Sequence, residues 1–397
     1  MDRTDTDAPL AASPATTKAT YDADANTIVL RAGSQATLAT VGQVLERPAA
    51  LRELAPGEWL LSANLLVEPG AALWIGAPEV RWLKLRSDTG GFVWIKALGG
   101  TLTFANTCVT SWDAAQNDVD TQYADGRSFV LARDGARMVI RDSALSYLGY
   151  DADESYGVAW RLAGTSGAAI NSRFGHNFYG LYSYAVDGLV VRGSEVHHSV
   201  RYGIDPHTRS NRLLIEGNRA HHNGKHGIIL AERCSNSVIR GNVVFNNTLH
   251  GIVLYQDSNH NLVEGNTSYG NGQQGINVNA SSDNTIRSNT VYDNAGAGIG
   301  VGQGASANRI VGNHVRANRE DGIVLYSAAR DNVLRNNTVS DNARYGIYLK
   351  SAGNTIAGGH HVFGNLVGVY LNVEQPPQIS RTANRIYGNR EADVRQR

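Results

Sequence analysis

The sequence predicts an all-β fold, a right-handed parallel β-helix whose solenoid coils are about 22–24 residues long. The first observation is a ladder of glycines, each followed by an apolar residue: Gly157, Gly180, Gly203, Gly227, Gly251, Gly275, Gly298, Gly322, Gly346 and Gly368. The second is a ladder of asparagines spaced by 23 or 24 residues: Asn218, Asn242, Asn266, Asn289, Asn313 and Asn337. Two markers that keep one phase indicate a repeated structural unit.

The residues between these markers predict strands. A unit such as HGIVLYQDSNHNLVEGNTSYGNGQ, from His250, contains β-branched stretches separated by Gly, Asn and Asp, and it lacks a 3.6-residue apolar period. Three short parallel strands per coil, stacked about 4.8 Å apart, suit this pattern better than a leucine-rich repeat. We expect the asparagines at turns, in left-handed backbone conformation, with their amides hydrogen-bonded from coil to coil.

Alternation along the strands assigns the faces. Positions one and three after each glycine, such as Ile228 and Leu230, are apolar and predicted to point into the core. Positions two and four then point outward, and they include tyrosines, an acid, an imidazole and cations. Such a face suits binding of a sugar chain, although tyrosine ladders also protect solenoid sheets.

Composition excludes several classes of protein. The 397 residues carry a formal net charge of zero, so no basic field points to nucleic acid. No run of about 18 apolar residues predicts a membrane span. Two cysteines are too few for a disulfide framework.

The chain is expected to form one domain. Residues 1–20 are rich in Ala, Thr, Asp and Pro, lack the apolar stretch of a signal peptide and predict a disordered leader. Residues 21–397 are predicted to form a single β-helix domain with irregular N-terminal coils. The polar segment 111–126 predicts a loop insertion, either a wall of the groove or an inert surface loop.

One coil has outward positions with reactive chemistry, the segment YGIDPH at Tyr202–His207. Pro206 lacks a ladder donor, and such exceptions to local rules often mark functional sites. Asp205 and His207 lie two positions apart and share one face, where a carboxylate can orient an imidazole. By itself, an Asp-x-His pair fits a structural role as well.

This hexapeptide resembles the YG[IVF]DPH[DE] signature of mannuronan C-5-epimerases, β-helix enzymes that act on alginate. Three further segments resemble periplasmic members of that family: SYLGYDADESYGV from Ser146, HNFYGLYSYAVDGLVV from His176 and KHGII from Lys225. The resemblance runs from about residue 55 to the C-terminus. It implies epimerisation of mannuronate to guluronate, in which a base removes the C5 proton, an acid returns one to the opposite face, and a further group neutralises the carboxylate.

The resemblance also implies roles for residues. His207 would be the base, Tyr202 a proton donor or its partner near the other sugar face, and Asp205 the residue that positions the histidine. The residues expected to bind substrate are Tyr182, Tyr184, Arg161, Lys225, His226, Arg233, His250 and Tyr255.

Two positions depart from the family's pattern. Thr208 stands where the motif usually ends in an acid, and Glu232 stands where periplasmic members carry an arginine that binds the carboxylate. The neutralising cation and the identity of the uronate polymer therefore stay open. The candidate cations are Arg233, Lys225, Arg209, Arg201 and Arg161, of which Lys225 matches the family best.

No cofactor is expected. A metal site of His207, His226 and His250 would lack carboxylate or cysteine partners. No calcium-binding nonapeptide repeat occurs, so calcium is possible but no motif requires it. We expect an anionic polysaccharide as the partner, a monomeric chain and, by resemblance, a periplasmic or extracellular location.

Other functions stay open on the same fold. A polyuronate lyase would share the proton abstraction and then expel the 4-O-linkage. A noncatalytic carbohydrate-binding β-helix would keep the tyrosine face without needing His207. A glycoside hydrolase is disfavoured because it would need a second carboxylate beside Asp205.

Overall fold

The structure, a computed structural model, describes residues 12–380 and 382–397. The chain divides into two compact units, Met1–Leu189 and Val190–Arg397. In each unit short strands stack into three sheets, which we call A, B and C, and the chain visits them in that order. This arrangement confirms the predicted parallel β-solenoid, whereas the extent of a single domain over 21–397 stays a prediction.

The first unit contains the less regular coils. Its sheet A consists of Ala19–Asp22, Thr27–Leu30, Asn64–Val67, Trp94–Leu98, Phe129–Arg133, Gly157–Arg161 and Tyr179–Tyr184. Its sheet B consists of Gln35–Thr37, Ala72–Gly76, Thr101–Ala105, Arg137–Arg141 and Ser166–Ile170. Its sheet C consists of Leu51–Ala55, Glu58–Leu61, Trp82–Asp88, Cys108–Asp113, Ala144–Ser146 and Arg173–Gly175, with short hairpin partners Gly91–Phe92 and Asp118–Val119.

The second unit contains the regular coils. Its sheet A consists of Ile204–His207, Ile228–Ala231, Ile252–Tyr255, Ile276–Asn279, Ile299–Gly302, Ile323–Leu325, Tyr345–Leu349, Val367–Leu371 and Ala392–Gln396. Its sheet B consists of Val190–Arg192, Leu214–Glu216, Val238–Arg240, Leu262–Glu264, Thr285–Arg287, Arg309–Val311, Val333–Arg335 and Thr355–Ile356. Its sheet C consists of Glu195–His197, Arg219–His221, Val243–Phe245, Thr267–Tyr269, Thr290–Tyr292, His314–Arg316, Thr338–Ser340, His361–Phe363 and Arg385–Ile386.

The core of the second unit lies between its three sheets and follows the predicted alternation. The first inward position of sheet A is an isoleucine in successive coils, and each pairs in register with the next, as Ile228 does with Ile252. These side chains are at most 1% exposed: Ile204, Ile228, Ile252, Ile276, Ile299, Ile323 and Ile347. Burial of one such side chain contributes about 1.5–3 kcal/mol, so the stack favours a single register.

The start of the described chain differs from the sequence prediction. Residues 1–11 of the predicted disordered leader lie outside the described residues. Residues 12–20 are structured, however, with a 3₁₀ turn at Pro14–Thr16 and the strand Ala19–Asp22, which pairs antiparallel with Thr27–Leu30. The leader prediction is therefore wrong for residues 12–20. Their composition is typical of a disordered segment, but strand pairing with Thr27–Leu30 orders them.

The sequence analysis also missed the α-helix Leu38–Leu45. Thr37 caps its N-terminus by accepting a hydrogen bond from the backbone N–H of Thr40, at 3.3 Å. Leu38 and Val41 are buried. Among the described residues, no helix is long and apolar enough to cross a lipid bilayer.

The insertion predicted at 111–126 begins later than expected. Ser111 and Trp112 are buried in the strand Cys108–Asp113, which pairs in parallel with Trp82–Asp88. Asp118–Val119 then folds back as an antiparallel hairpin on the end of that strand. The first residues of the segment thus belong to sheet C, because strand pairing there outweighs their polar composition.

The marker glycines allow close contact between coils. A Cβ atom built on Gly251 would lie 2.1 Å from Oγ of Ser268 and 2.6 Å from the carbonyl oxygen of Gly275. These distances are too short for any side chain. The glycine ladder is therefore a steric requirement of stacking, which explains its strict period.

The asparagine ladder ties each coil to its neighbours. The buried Nδ2 of Asn266 donates to Oδ1 of Asn289 at 3.0 Å and to the carbonyl of Ile239 at 2.9 Å. Its Oδ1 accepts from both N and Nδ2 of Asn242, at 2.9 Å each. The predicted coil-to-coil amide bonds are thus confirmed.

The predicted left-handed conformation of these asparagines is wrong. It belongs instead to the residue before each one, such as Gly265, at φ 62°. The ladder asparagines need an ordinary backbone angle so that their amides point along the stack. A second ladder of buried asparagines, which the sequence analysis overlooked, repeats the arrangement: Asn223, Asn247, Asn271, Asn294, Asn318, Asn342 and Asn365.

Replacement of a ladder amide should destabilise the solenoid. Asn266→Ala removes four hydrogen bonds and leaves buried backbone groups without partners, so we expect a loss of roughly 2–4 kcal/mol in the free energy of unfolding. Chemical denaturation checks this, with the exposed Gln273→Ala as a matched control that should change stability by less than about 0.5 kcal/mol. Equal midpoints for both variants would contradict the structural role of the ladder.

Candidate active site

Sheet A of the second unit forms one wall of an open pocket of about 260 Å³. Its lining residues come from four successive coils: Tyr202, Asp205, His207, His226, Ile229, Ala231, His250, Val253, Tyr255, Asn277 and Asn279. The structure therefore brings together the three predicted catalytic residues and three of the predicted binding residues. The side chains of these lining residues point outward from sheet A, as strand alternation predicted.

Strand pairing is interrupted at the centre of this pocket. The strand Ile204–His207 pairs with the next coil at Ile204 alone, whereas Ile228–Ala231 pairs with its successor at four positions. Pro206 has no N–H to donate, which accounts for the gap in the ladder. Pro206, the predicted exception to the strand pattern, thus lies beside the titratable groups of the pocket, Asp205 and His207.

Asp205 is fully buried although its side chain lines the pocket. Both carboxyl oxygens lack a hydrogen-bond partner within the described part of the chain. Burial raises the pKa of Asp205 well above its ordinary value, with the Lys225 charge opposing this and Glu232 adding to it. Burial at this position therefore favours the protonated, uncharged form of the Asp205 carboxyl group.

The hydrogen-bond partner of His207 differs from the one expected. Its Nδ1 lies 2.8 Å from the Thr208 hydroxyl, which donates to Oε2 of Glu232 at 3.0 Å. Among the described residues the Asp205 oxygens have no hydrogen-bond partner, so no hydrogen bond links Asp205 to His207, and the expected positioning role of Asp205 stays a prediction. Burial lowers the pKa of His207, and the Glu232 carboxylate opposes that shift.

Tyr202 contacts a predicted cation. Nζ of Lys225 donates to the tyrosine Oη at 3.3 Å and lies 5.0 Å from the ring centroid. On the other side, the tyrosine ring stacks on the imidazole of His226, with centroids 5.3 Å apart. The phenol is thereby held beside an ammonium group at the edge of the pocket.

His226 and His250 continue the column that Tyr202 begins, with ring centroids 4.9 Å apart. Nδ1 of His226 accepts the backbone N–H of His250, and Nδ1 of His250 accepts that of Gln274, at 3.2 and 3.1 Å. Burial lowers the pKa of His226 to about 3 and that of His250 to about 4. Both rings are therefore neutral and carry their proton on Nε2.

This tautomer bears on metal binding. A metal ligand must offer a lone pair, and the Nδ1 lone pairs of His226 and His250 are already used by backbone N–H groups. Moving the proton to Nδ1 would break those bonds. The two rings suit donation of hydrogen bonds to a ligand better than coordination of a metal.

A second aromatic group lies further along sheet A, and we call it the distal tyrosine platform: Tyr326, Tyr345, Tyr348 and Tyr370 with Lys350. The rings of Tyr348 and Tyr370 stack at 5.1 Å, and Nζ of Lys350 lies 4.8 Å from the Tyr348 ring. The sequence analysis selected none of these residues as binding residues. The signal in the sequence was that Tyr348 and Lys350 lie two residues apart, which places both side chains on one face of the sheet.

The other predicted residues lie outside this pocket. Arg233 and Arg209 are exposed at left-handed turn positions, with φ 63° and 62°, and neither lines the pocket, nor does Arg201. In the first unit, Nη1 of Arg161 binds Oδ1 of Asp153 at 2.6 Å. Arg161 also lies over the ring of Tyr184, at 5.1 Å.

Tyr182 is also in the first unit and is only 7% exposed. It packs in an apolar cluster with Phe129, Leu131 and Ala159, and against the rings of Tyr156 and Tyr179. Its binding role, like that of Arg161 and Tyr184, stays a prediction.

Fold and site together define a parallel β-helix repeat protein with a polar and aromatic pocket on one sheet. A family model described as "Periplasmic copper-binding protein (NosD)" matches residues 135–321 and 303–395, which is more than half of the chain. The chain belongs to this family.

Curated relatives carry another name. A mannuronan C5-epimerase of Pseudomonas aeruginosa is 31% identical over 178 residues, which are 42% of this chain and 32% of the relative. Mannuronan C5-epimerase AlgG of Azotobacter vinelandii is 33% identical over 176 residues, 41% of this chain and 33% of the relative. The matched region spans about a third of each relative, and their name is that of the enzymes that the YGIDPH segment resembles.

Solved structures agree on the fold. The crystal structure of the periplasmic alginate epimerase AlgG superposes with a TM-score of 0.71 at 24% identity, covering 94% of this chain and 85% of that one. The catalytic domain of a GH87 α-1,3-glucanase superposes with a TM-score of 0.52 at 12% identity, covering 86% and 67%. At these identities the likeness establishes the β-helix and nothing finer.

The buried acid makes stability depend on pH. Since the folded-state pKa of Asp205 is raised, its contribution is fully favourable below the unfolded pKa, near 3.8, and declines as pH rises toward the folded value. Asp205→Asn should therefore gain stability relative to wild type as pH rises from 4 to 8. Chemical denaturation of both proteins at several pH values checks this. A difference in denaturation midpoint that stays constant from pH 4 to 8 would refute the prediction.

Proposed function

We propose that the chain epimerises uronate residues at C5, converting mannuronate to guluronate in an alginate-like polymer. The observation that carries this proposal is the pocket itself, in which His207 and Tyr202, the latter hydrogen-bonded to Lys225, share one wall with aromatic and apolar side chains. The names of the curated relatives support it, over the part of the chain that they match.

The reaction begins at His207. In its neutral form the imidazole removes the proton from C5, and the bonding electrons move into the substrate carboxyl group, giving an enediolate. Tyr202 then delivers its phenol proton to C5 from the opposite face, with the Lys225 ammonium stabilising the phenolate. Transfer of the proton from His207 back to the phenolate through solvent restores both groups, so no cofactor is consumed.

The enediolate needs neutralisation, and three groups supply it. Lys225 is the candidate cation whose ammonium contacts a lining residue. His226 and His250 add neutral Nε2–H donors, which stabilise negative charge without requiring a counterion. Because Glu232 replaces the arginine expected there, this combination takes over the role that a single cation would have.

We also propose that the reaction needs no metal. The description of the family names copper, but the two buried imidazoles of the pocket use their Nδ1 atoms for backbone hydrogen bonds. Epimerisation should therefore survive dialysis against a chelator with unchanged kcat. A loss of activity that copper, zinc or calcium restores would overturn the cofactor-free mechanism.

A periplasmic location and a monomeric chain complete the proposal. The periplasmic description of the family model and of a solved structural neighbour supports the location. The monomeric state follows from the sequence expectation.

Incubation with polymannuronate in deuterated water tests the reaction. We expect guluronate with deuterium at C5, detected by NMR, and an unchanged chain length. Ultraviolet absorbance of an unsaturated uronate would indicate a lyase instead, and absence of both products with retained binding would indicate a binding protein.

His207→Ala should reduce exchange at C5 at least about 100-fold, the scale of a lost general base. His314→Ala, an exposed histidine on sheet C, is the matched control and should keep wild-type activity. Activity retained by both variants would rule out His207 as the base.

The distal tyrosine platform should matter only for long substrates. Tyr370→Ala removes the partly exposed ring of the stacked pair, and we expect a KM about 5- to 10-fold higher for polymer, corresponding to about 1–1.4 kcal/mol of lost stacking. Trimers bound at the pocket should show an unchanged KM. Tyr269→Ala, in a ring stack on sheet C, is the control, and a similar KM change in that variant would point to a general structural effect.

A further inference from the structure

Two residues that depart from the epimerase pattern lie in direct contact. Thr208 and Glu232 are 24 residues apart, one coil, and their side chains are hydrogen-bonded at 3.0 Å. The same hydroxyl lies 2.8 Å from Nδ1 of His207. A single partly buried chain of hydrogen bonds therefore leads from a carboxylate to the imidazole of the pocket.

The direction of these bonds follows from the number of protons available. A threonine hydroxyl has one proton, and an ionised carboxylate can only accept, so Thr208 donates to Glu232. The hydroxyl oxygen must then accept from Nδ1–H of His207. In the neutral imidazole, this places the proton on Nδ1 and the lone pair on Nε2.

The backbone holds Glu232 in this position. Its N–H donates to the carbonyl of Tyr255 at 2.9 Å, and its carbonyl accepts the N–H of Arg209 at 3.0 Å. Its φ of 56° lies in the left-handed region, which is uncommon for a glutamate, and Arg233 follows at φ 63°. At such a turn strand alternation no longer applies, so the carboxylate reaches Thr208 while Arg233 is exposed.

We propose that Glu232 is a positioning residue for the base: through the Thr208 hydroxyl, it fixes His207 in the tautomer whose Nε2 accepts a proton. The carboxylate also stabilises the imidazolium that forms when Nε2 takes the C5 proton. The part of this inference that concerns rate rests on the proposed epimerisation, whereas the tautomer itself does not.

The tautomer is tested by ¹⁵N NMR of the imidazole nitrogens in the full chain at a pH where His207 is neutral. We expect a protonated Nδ1 and an unprotonated Nε2 in wild type and in Thr208→Ser. In Thr208→Val the proton should redistribute toward Nε2. A wild-type ring protonated at Nε2, or a Thr208→Val spectrum identical to wild type, would overturn the proposal.

The rate is tested with the same variants on polymannuronate. Thr208→Val should lower kcat about 10- to 100-fold, by analogy with metal-bound histidines that lose their hydrogen-bond partner, and Thr208→Ser should restore it. Glu232→Gln keeps an acceptor but removes the charge that raises the pKa of His207, so the acidic limb of the kcat/KM profile should move to lower pH.

Glu264→Gln, which removes a carboxylate paired with Arg287 outside the pocket, should leave that limb in place. A limb unmoved in Glu232→Gln would overturn the electrostatic part of the proposal. If wild type exchanges no C5 proton on any polyuronate, the epimerase proposal fails while the NMR experiment still decides the tautomer.

Discussion

The stacked asparagine amides are the interaction on which the rest of the structure depends. Each buried amide donates to the next and accepts from the previous one, so a shift of one coil by one residue would break the bonds on both sides. The ladders therefore fix the spacing of the coils, and residues 23 or 24 apart become neighbours. The column of Tyr202, His226 and His250 and the contact of Thr208 with Glu232 both follow from this constraint.

The same stacking sets the charges of the pocket. Rings and aliphatic side chains from adjacent coils cover the outward face, so Asp205 loses contact with water without gaining a hydrogen-bond partner among the described residues. Desolvation favours its neutral form, as it does for His226 and His250. The site therefore consists mainly of neutral donors and acceptors, with Lys225 at its edge.

The sequence predicted the features of the fold that depend on the repeat length and on the inward–outward alternation of side chains along strands. The coil length, the isoleucine stack and the outward position of Asp205 and His207 all follow from counting residues from a glycine. The conformation at turns could not be predicted in that way, because a left-handed residue changes the direction of its neighbours. For this reason the Glu232 side chain reaches Thr208 whereas Arg233 is exposed, and the residues before the ladder asparagines carry the positive φ.

Burial on the outward face and the helix Leu38–Leu45 were missed for different reasons. Asp205 is fully buried although it occupies an outward position, and the alternation along its own strand does not predict that burial. The helix has eight residues and occurs once, so no repeat identifies it, and its stability comes from the Thr37 cap and from packing of Leu38 and Val41.

An acid at position 232 at first contradicts binding of a polyanion, since an unpaired carboxylate would repel the substrate. In the structure Glu232 is hydrogen-bonded to the Thr208 hydroxyl, which contacts His207, so in the proposed mechanism its charge acts on the base. Its charge raises the pKa of the buried imidazole, which burial alone would leave a poor base. In the proposed mechanism, position 232 therefore serves the base and not the substrate carboxylate, and Lys225 with the two neutral imidazoles binds the anion.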